Sequence, residues 1–131
     1  MRSRLTLMIL TLLATPCGSL LAQTREAPDT TVVGEASVTE RPAIVPGSCL
    51  APTYPILMRD AKIEGRVLLQ FVVDTLGRIE PASIVTIQST HSQFEAAARR
   101  ALLTCRYRPG RTGPRAVRVK VQMPFNFRLS T

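Results

Sequence analysis

From residue 116 to 129 the chain alternates without a break. Val117, Val119, Val121, Met123, Phe125, Phe127 and Leu129 are apolar, and Arg118, Lys120, Gln122, Pro124, Asn126 and Arg128 stand between them. A helix would scatter these side chains round its axis, so the two-residue period predicts a β-strand with one buried face. Pro124 has no N–H to give to a ladder, which predicts an edge strand or a bulge there. An edge strand offers unpaired backbone groups to another extended chain, and the row of Arg118, Lys120 and Arg128 favours an acidic one. The last strand is therefore the candidate site for a partner peptide added as a further strand.

The residues before it carry equally readable patterns. Pro55 suits the first turn of a helix over 56–64, with Leu57, Met58 and Ala61 on one face and Gly65 as its end. Over 66–74, Val67, Leu69, Phe71 and Val73 form one apolar face and Leu68 and Val72 add to the other, which predicts a central strand. Asp74-Thr75-Leu76-Gly77-Arg78 supplies a hairpin turn, and the returning strand, 79–89, contains Pro81 and is read as edge or bulged. Ser92 and Glu95 have the spacing of a capping box ahead of a helix whose apolar stripe is Phe94, Ala97, Ala98, Ala101, Leu102 and Cys105. Pro109-Gly110 and Gly113-Pro114 bracket a turn into the last strand, so the order is helix, strand, strand, helix, strand.

Upstream of residue 49 the character of the chain changes. Arg2 and Arg4, an apolar run over 5–15 and the break Pro16-Cys17-Gly18-Ser19 have the layout of an export signal, with cleavage after Ser19 or after Ala22. Residues 5–24 are also uncharged, and about 20 such residues cross a bilayer as a helix. Residues 1–23 are thus read as a signal peptide or an uncleaved membrane anchor. Residues 24–48, with Pro28, Pro42, Pro46 and few large apolar side chains, read as a flexible linker, and 49–131 as the folded domain. The formal charge is +8; removing Arg2 and Arg4 from the 17 Lys and Arg leaves 15 against 9 acidic residues, a net +6. No nucleic-acid-binding motif is present, so the excess is read as a solvated basic surface, the alternatives being attraction to acidic peptides or to an anionic membrane surface.

Tyr54-Pro55, Glu64-Gly65-Arg66-Val67, Phe71-Val72-Val73-Asp74 with Gly77, Ser89, the alanine-rich helix, Tyr107-Arg108-Pro109 and Phe125-Asn126-Phe127 occur in order over residues 49–129. Together they resemble the TonB C-terminal domain. The resemblance implies an α+β fold, a three-stranded antiparallel sheet with two helices on one face, the hairpin's first strand in the centre and the last strand at an edge. It implies a periplasmic domain that takes the TonB box, a short acidic extended segment of a TonB-dependent outer-membrane receptor, by β-strand addition in energy-coupled transmembrane transport. Carried over position by position, the partner-binding residues are Val117, Arg118, Val119, Lys120, Val121, Gln122 and Met123. ExbB and ExbD are implied motor partners of inner-membrane-anchored members, and a homodimer through the same edge is a competing occupant. A soluble periplasmic protein-interaction module without an energy-transducing role stays open as the alternative. Asp29-Thr30-Thr31-Val32-Val33 is itself similar to a TonB box, and added to the chain's own last strand it would block the site until a receptor competes.

Candidates for side-chain chemistry are few. With Cys17 in the signal, Cys49 and Cys105 form an even pair for an oxidising compartment and are read as a disulfide, the alternative being a buried thiol at Cys105. His91, the only histidine, and Cys105 lie at opposite ends of one predicted helix, roughly 20 Å apart, too far for a nucleophile and its base. One histidine and two paired cysteines do not make a zinc site, and the carboxylates are scattered. No enzymatic activity, cofactor or metal is expected.

Overall fold

The structure, a computed structural model, describes residues 31–130. The predicted export signal, Cys17, Asp29 and Thr30 lie outside the described residues. The alternation near the C-terminus forms one long strand, β7 (Arg115–Phe127). It pairs antiparallel with β3 (Gly65–Val73) in unbroken register from Gly65↔Phe127 to Val73↔Val119. On its other side β3 pairs antiparallel with β4 (Val85–Ser89), the register shifting once between Leu68 and Leu69. The hairpin's first strand is therefore central, as the apolar residues on both its faces predict, and the fold is α+β.

One face of this sheet is the core. Val67, Leu69, Phe71 and Val73 from β3 join Val119, Val121, Phe125 and Phe127 from β7. Over them lies α2 (Ser92–Leu102), which buries Phe94, Ala97, Ala98, Ala101 and Leu102, the stripe its helical period predicts. Phe94 stacks on Phe127 at 4.4 Å, and Tyr54 sets its ring edge against both at 5.6 and 5.8 Å. The Tyr54 hydroxyl donates to the Ile63 carbonyl, which seats the second helix, α1 (Ile56–Asp60), beside them.

Several local expectations are corrected. Helix α1 stops at Asp60, and Lys62 takes a left-handed φ of 56°. So short a helix buries Met58 alone and leaves Leu57 77% exposed. Gly65 does not end it but opens β3, where a Cβ would stand 2.5 Å from the Phe94 ring. Pro81 starts a short 3-10 turn, Pro81–Ser83, so β4 begins only at Val85; Ser83 Oγ accepts the Val72 N–H at 2.8 Å in place of a ladder partner. Ser92 is the first residue of α2 rather than its cap; its hydroxyl turns to Gln93, and Glu95 accepts from Thr86 on β4 instead of closing a box. Gly77 does occupy the turn, at φ 80°, and its carbonyl accepts the Tyr107 N–H at 2.9 Å.

The largest difference lies in residues 31–48, expected to be a flexible linker. They run as a strap along 105–111 and on to β7. Val45 N–H donates to the Arg106 carbonyl at 2.8 Å, and β2 (Ala43–Ile44) pairs antiparallel with β5 (Tyr107–Arg108). Glu40 and Arg111 then exchange backbone bonds of 3.1 and 2.9 Å; Arg111 belongs to β6 (Gly110–Thr112), which forms a hairpin with β7. The strap is riveted at its C-terminal end by a disulfide between Cys49 and Cys105 (S–S 2.04 Å). Its order comes from backbone groups of 105–111 that need partners and from only two apolar side chains packed on the core, Val33 and Val38, which is why composition alone reads it as a linker.

Two measurements follow from this packing. A cross-link over a sequence separation of 56 is worth about 4 kcal/mol in the chain-entropy model, so Cys49→Ser is expected to lose that much in urea unfolding, and reductant should do the same to the unaltered protein. Insensitivity to reductant would exclude the cross-link. Burial first, and the Glu35 carboxylate second, push the Tyr107 phenol up to about 12. The unfolded chain ionises near pH 10, so the stabilisation is complete below that pH and is lost as pH rises toward about 12. Tyr107→Phe should flatten this alkaline slope in denaturation curves taken across that window.

Candidate functional site: the outer edge of the last strand

The backbone of β3 decides which way the backbone of β7 looks. Arg66 and Val72 of β3 accept the N–H groups of Thr90 (3.1 Å) and Glu80 (3.0 Å) on the β4 side. The even-numbered residues of β3 therefore address β4, and the odd-numbered ones address β7. Through the register, Val119, Val121, Met123, Phe125 and Phe127 bond back to β3, whereas Lys120, Gln122, Pro124 and Asn126 direct their backbone groups away from it. Pro124 opposes Leu68 with no bulge, because its missing N–H falls on the outward side. The proline that predicted an edge or a bulge thus marks the outer edge of β7 and interrupts its row of donors between Gln122 and Asn126.

That edge is already in use. Strand β1 (Val32–Gly34) lies parallel to β7, with Val32 opposite Arg118, Val33 opposite Val119 and Gly34 opposite Lys120. The strand order β1-β7-β3-β4 puts β7 inside the sheet rather than at its end. Val33 packs against the rim of the core, on the face that buries Val119. The expectation that the last strand ends the sheet is corrected here, and its cause is the last part of the Asp29–Val33 segment. Among the described residues, no strand pairs with the outer edge over 121–127.

The side chains of the predicted site divide sharply. Val119 and Val121 are buried, and Met123, half-buried, accepts the Tyr107 hydroxyl at 3.6 Å. Val117 opposes Gly110 in the β6–β7 hairpin. Arg118 is engaged by Glu80 in a two-pronged pair, Nε to Oε1 at 2.9 Å and a terminal nitrogen to Oε2 at 2.7 Å, so its charge is already answered. Gln122 donates to Gln70 at 3.2 Å across the open face, and Lys120 is exposed beside it. Glu80 is the partner of Arg118 that sequence reading missed, since a single acidic residue in a turn gives no periodic signal. Over 117–123 the edge offers backbone groups and the exposed Lys120 rather than reactive chemistry. Among the described residues no three of His, Cys, Asp and Glu gather into a metal site, and no helix is long and apolar enough to cross a membrane.

Comparison with known proteins agrees with this architecture. The family model for the Gram-negative bacterial TonB protein C-terminal region matches residues 51–129. Protein TonB of Salmonella typhimurium is 36% identical over 84 residues, which cover 60% of this chain and 34% of that protein. Protein TonB of Klebsiella pneumoniae is 33% identical over 110 residues, 83% of this chain and 43% of that one. The chain thus spans less than half the length of these curated relatives. The solution NMR structure of the Pseudomonas aeruginosa TonB CTD shares the fold, with a TM-score of 0.56 at 24% identity, covering 77% of this chain and 95% of that one. With the central β3, the long β7 and the covering α2 all inside the matched region, the chain belongs to the TonB C-terminal domain family.

Proposed function

We propose that this domain binds an extended segment of a TonB-dependent outer-membrane receptor in the periplasm, adding it as a strand to the outer edge of β7 in energy-coupled transport. The observation that carries the reading is β1, an extended segment lying on that edge in regular register with Arg118, Val119 and Lys120. Family membership supplies the class of partner, and ExbB and ExbD belong to the same reading as the source of energy. The partner-binding residues are Val117, Arg118, Val119, Lys120, Val121, Gln122 and Met123, acting mainly through their backbone. Main-chain bonds give affinity in strand addition, and the alternate side chains give selectivity. Here Lys120 is the exposed charge that meets an acidic residue, while Arg118 is held by Glu80. The function needs no reaction at a side chain.

The test is a titration of the isotope-labelled protein with a receptor-derived peptide that has an acidic start and an extended Thr/Val body. Amide shifts are expected over 117–123. Gln122→Pro removes one outward N–H, as Pro124 already does naturally, so the fold should survive by circular dichroism. Losing one backbone hydrogen bond of about 1 kcal/mol should weaken the peptide roughly fivefold. Shifts confined to the opposite edge, at β4, would overturn the assignment.

A further inference from the structure

Resting on strand addition at β7, we infer that β1 is a built-in occupant of the partner edge. A partner strand enters by displacing Val32–Gly34, runs parallel to β7 as they do, and brings an apolar residue to the place of Val33.

The register places β1 and a partner in competition. β1 sits opposite Arg118, Val119 and Lys120, inside the partner-binding stretch, and one edge of a strand holds one neighbour at a time. A partner that slid along β7 to escape β1 would find the outward N–H of Gln122 and then Pro124, which has none. The stretch beyond β1 therefore offers a broken row of outward donors, Gln122 and Asn126 with Pro124 between them. Val33 defines what the site prefers: it reaches the rim of the core next to buried Val119, whereas Gly34, opposite Lys120, is exposed. A charged side chain at the Val33 position would be pressed against that apolar rim, at a desolvation cost.

The strap explains how the occupant leaves without unfolding the domain. Backbone pairing resumes at Thr39 and Glu40, both bonded to Arg111, continues through β2 and β5, and ends at the Cys49–Cys105 disulfide. Only residues 35–38 separate β1 from this anchorage, so a released β1 stays close and competes as a tethered ligand of high effective concentration. The apparent affinity for a free strand then falls in proportion to the fraction of molecules with the edge open.

The experiment uses a peptide of this chain's own residues 27–38 as the probe, added to the full, oxidised protein and to its Val33→Pro variant, with binding read by fluorescence anisotropy. Proline at 33 removes the central N–H of β1 and leaves the strap intact; Val33→Asp opens the edge by a second route. Both variants are expected to bind the probe roughly tenfold more tightly than the unaltered protein. A spin label on the N-terminus of the probe should broaden the amide of Val117 and spare that of Phe125, and the reverse pattern would overturn the parallel entry. A probe carrying Val33→Asp should fail to bind, and its binding as well as the first would overturn the apolar requirement. Equal affinity for protein and variants, with amide shifts over 117–123, would overturn the built-in occupancy and leave strand addition standing. No binding to any of them would overturn both.

Discussion

Nine residues of β3 face β7 in one uninterrupted register, and a slip of β7 by a single residue would turn Val119, Val121 and Phe127 to the solvent while driving Lys120 and Gln122 under α2. The apolar burial of those aromatic and branched side chains, each worth roughly 1.5–3 kcal/mol, makes the slipped arrangement inaccessible. The same register dictates that Lys120, Gln122, Pro124 and Asn126 send their backbone groups outward. Core and binding edge are thus consequences of one alternation: the residues whose side chains are buried are those whose backbone bonds close the β3 ladder, and the residues between them are left to address a neighbour.

Long periodic segments were legible because burial imposes their period. The stripe of α2, the central position of β3 and the single buried face of β7 all follow from spacing, and Pro124 located the outward edge because an absent N–H must point where nothing is required of it. The structure supports the family resemblance carried by Tyr54-Pro55, Gly65 and the closing aromatics: Tyr54 touches both Phe94 and Phe127, and Gly65 lets the Phe94 ring approach. What could not be read were contacts of two or three residues between distant parts of the chain. β2, β5 and the Glu40–Arg111 bridge have no periodicity of their own, and they exist because each segment supplies what the other's backbone lacks. β1 was visible through the likeness of Asp29–Val33 to a ligand that could add to the last strand, and the structure pairs Val32 and Val33 with Arg118 and Val119.

The high positive charge contributes less to the site than its total suggests. Glu80 holds Arg118 in a geometry that a partner carboxylate would have to match, and Gln122 is tied to Gln70. Under the proposed strand addition, selection would rest on shape and main-chain register, with Lys120 as the exposed charge over 117–123.

The disulfide changes how the domain responds to tension arriving from the N-terminal side. Because Cys49 is bonded to Cys105, a pull on residues 31–48 passes directly to the C-terminal end of α2 and bypasses α1, β3 and β4, which lie within the cross-linked interval of 56 residues. Peeling through β1, the Glu40–Arg111 bridge and β2 would free a segment whose fully extended reach is roughly 60 Å, and then meet a covalent stop. The strap is a length of chain that can be drawn out before the sulfur–sulfur bond takes the load, and that bond marks the boundary between it and α1, β3 and β4.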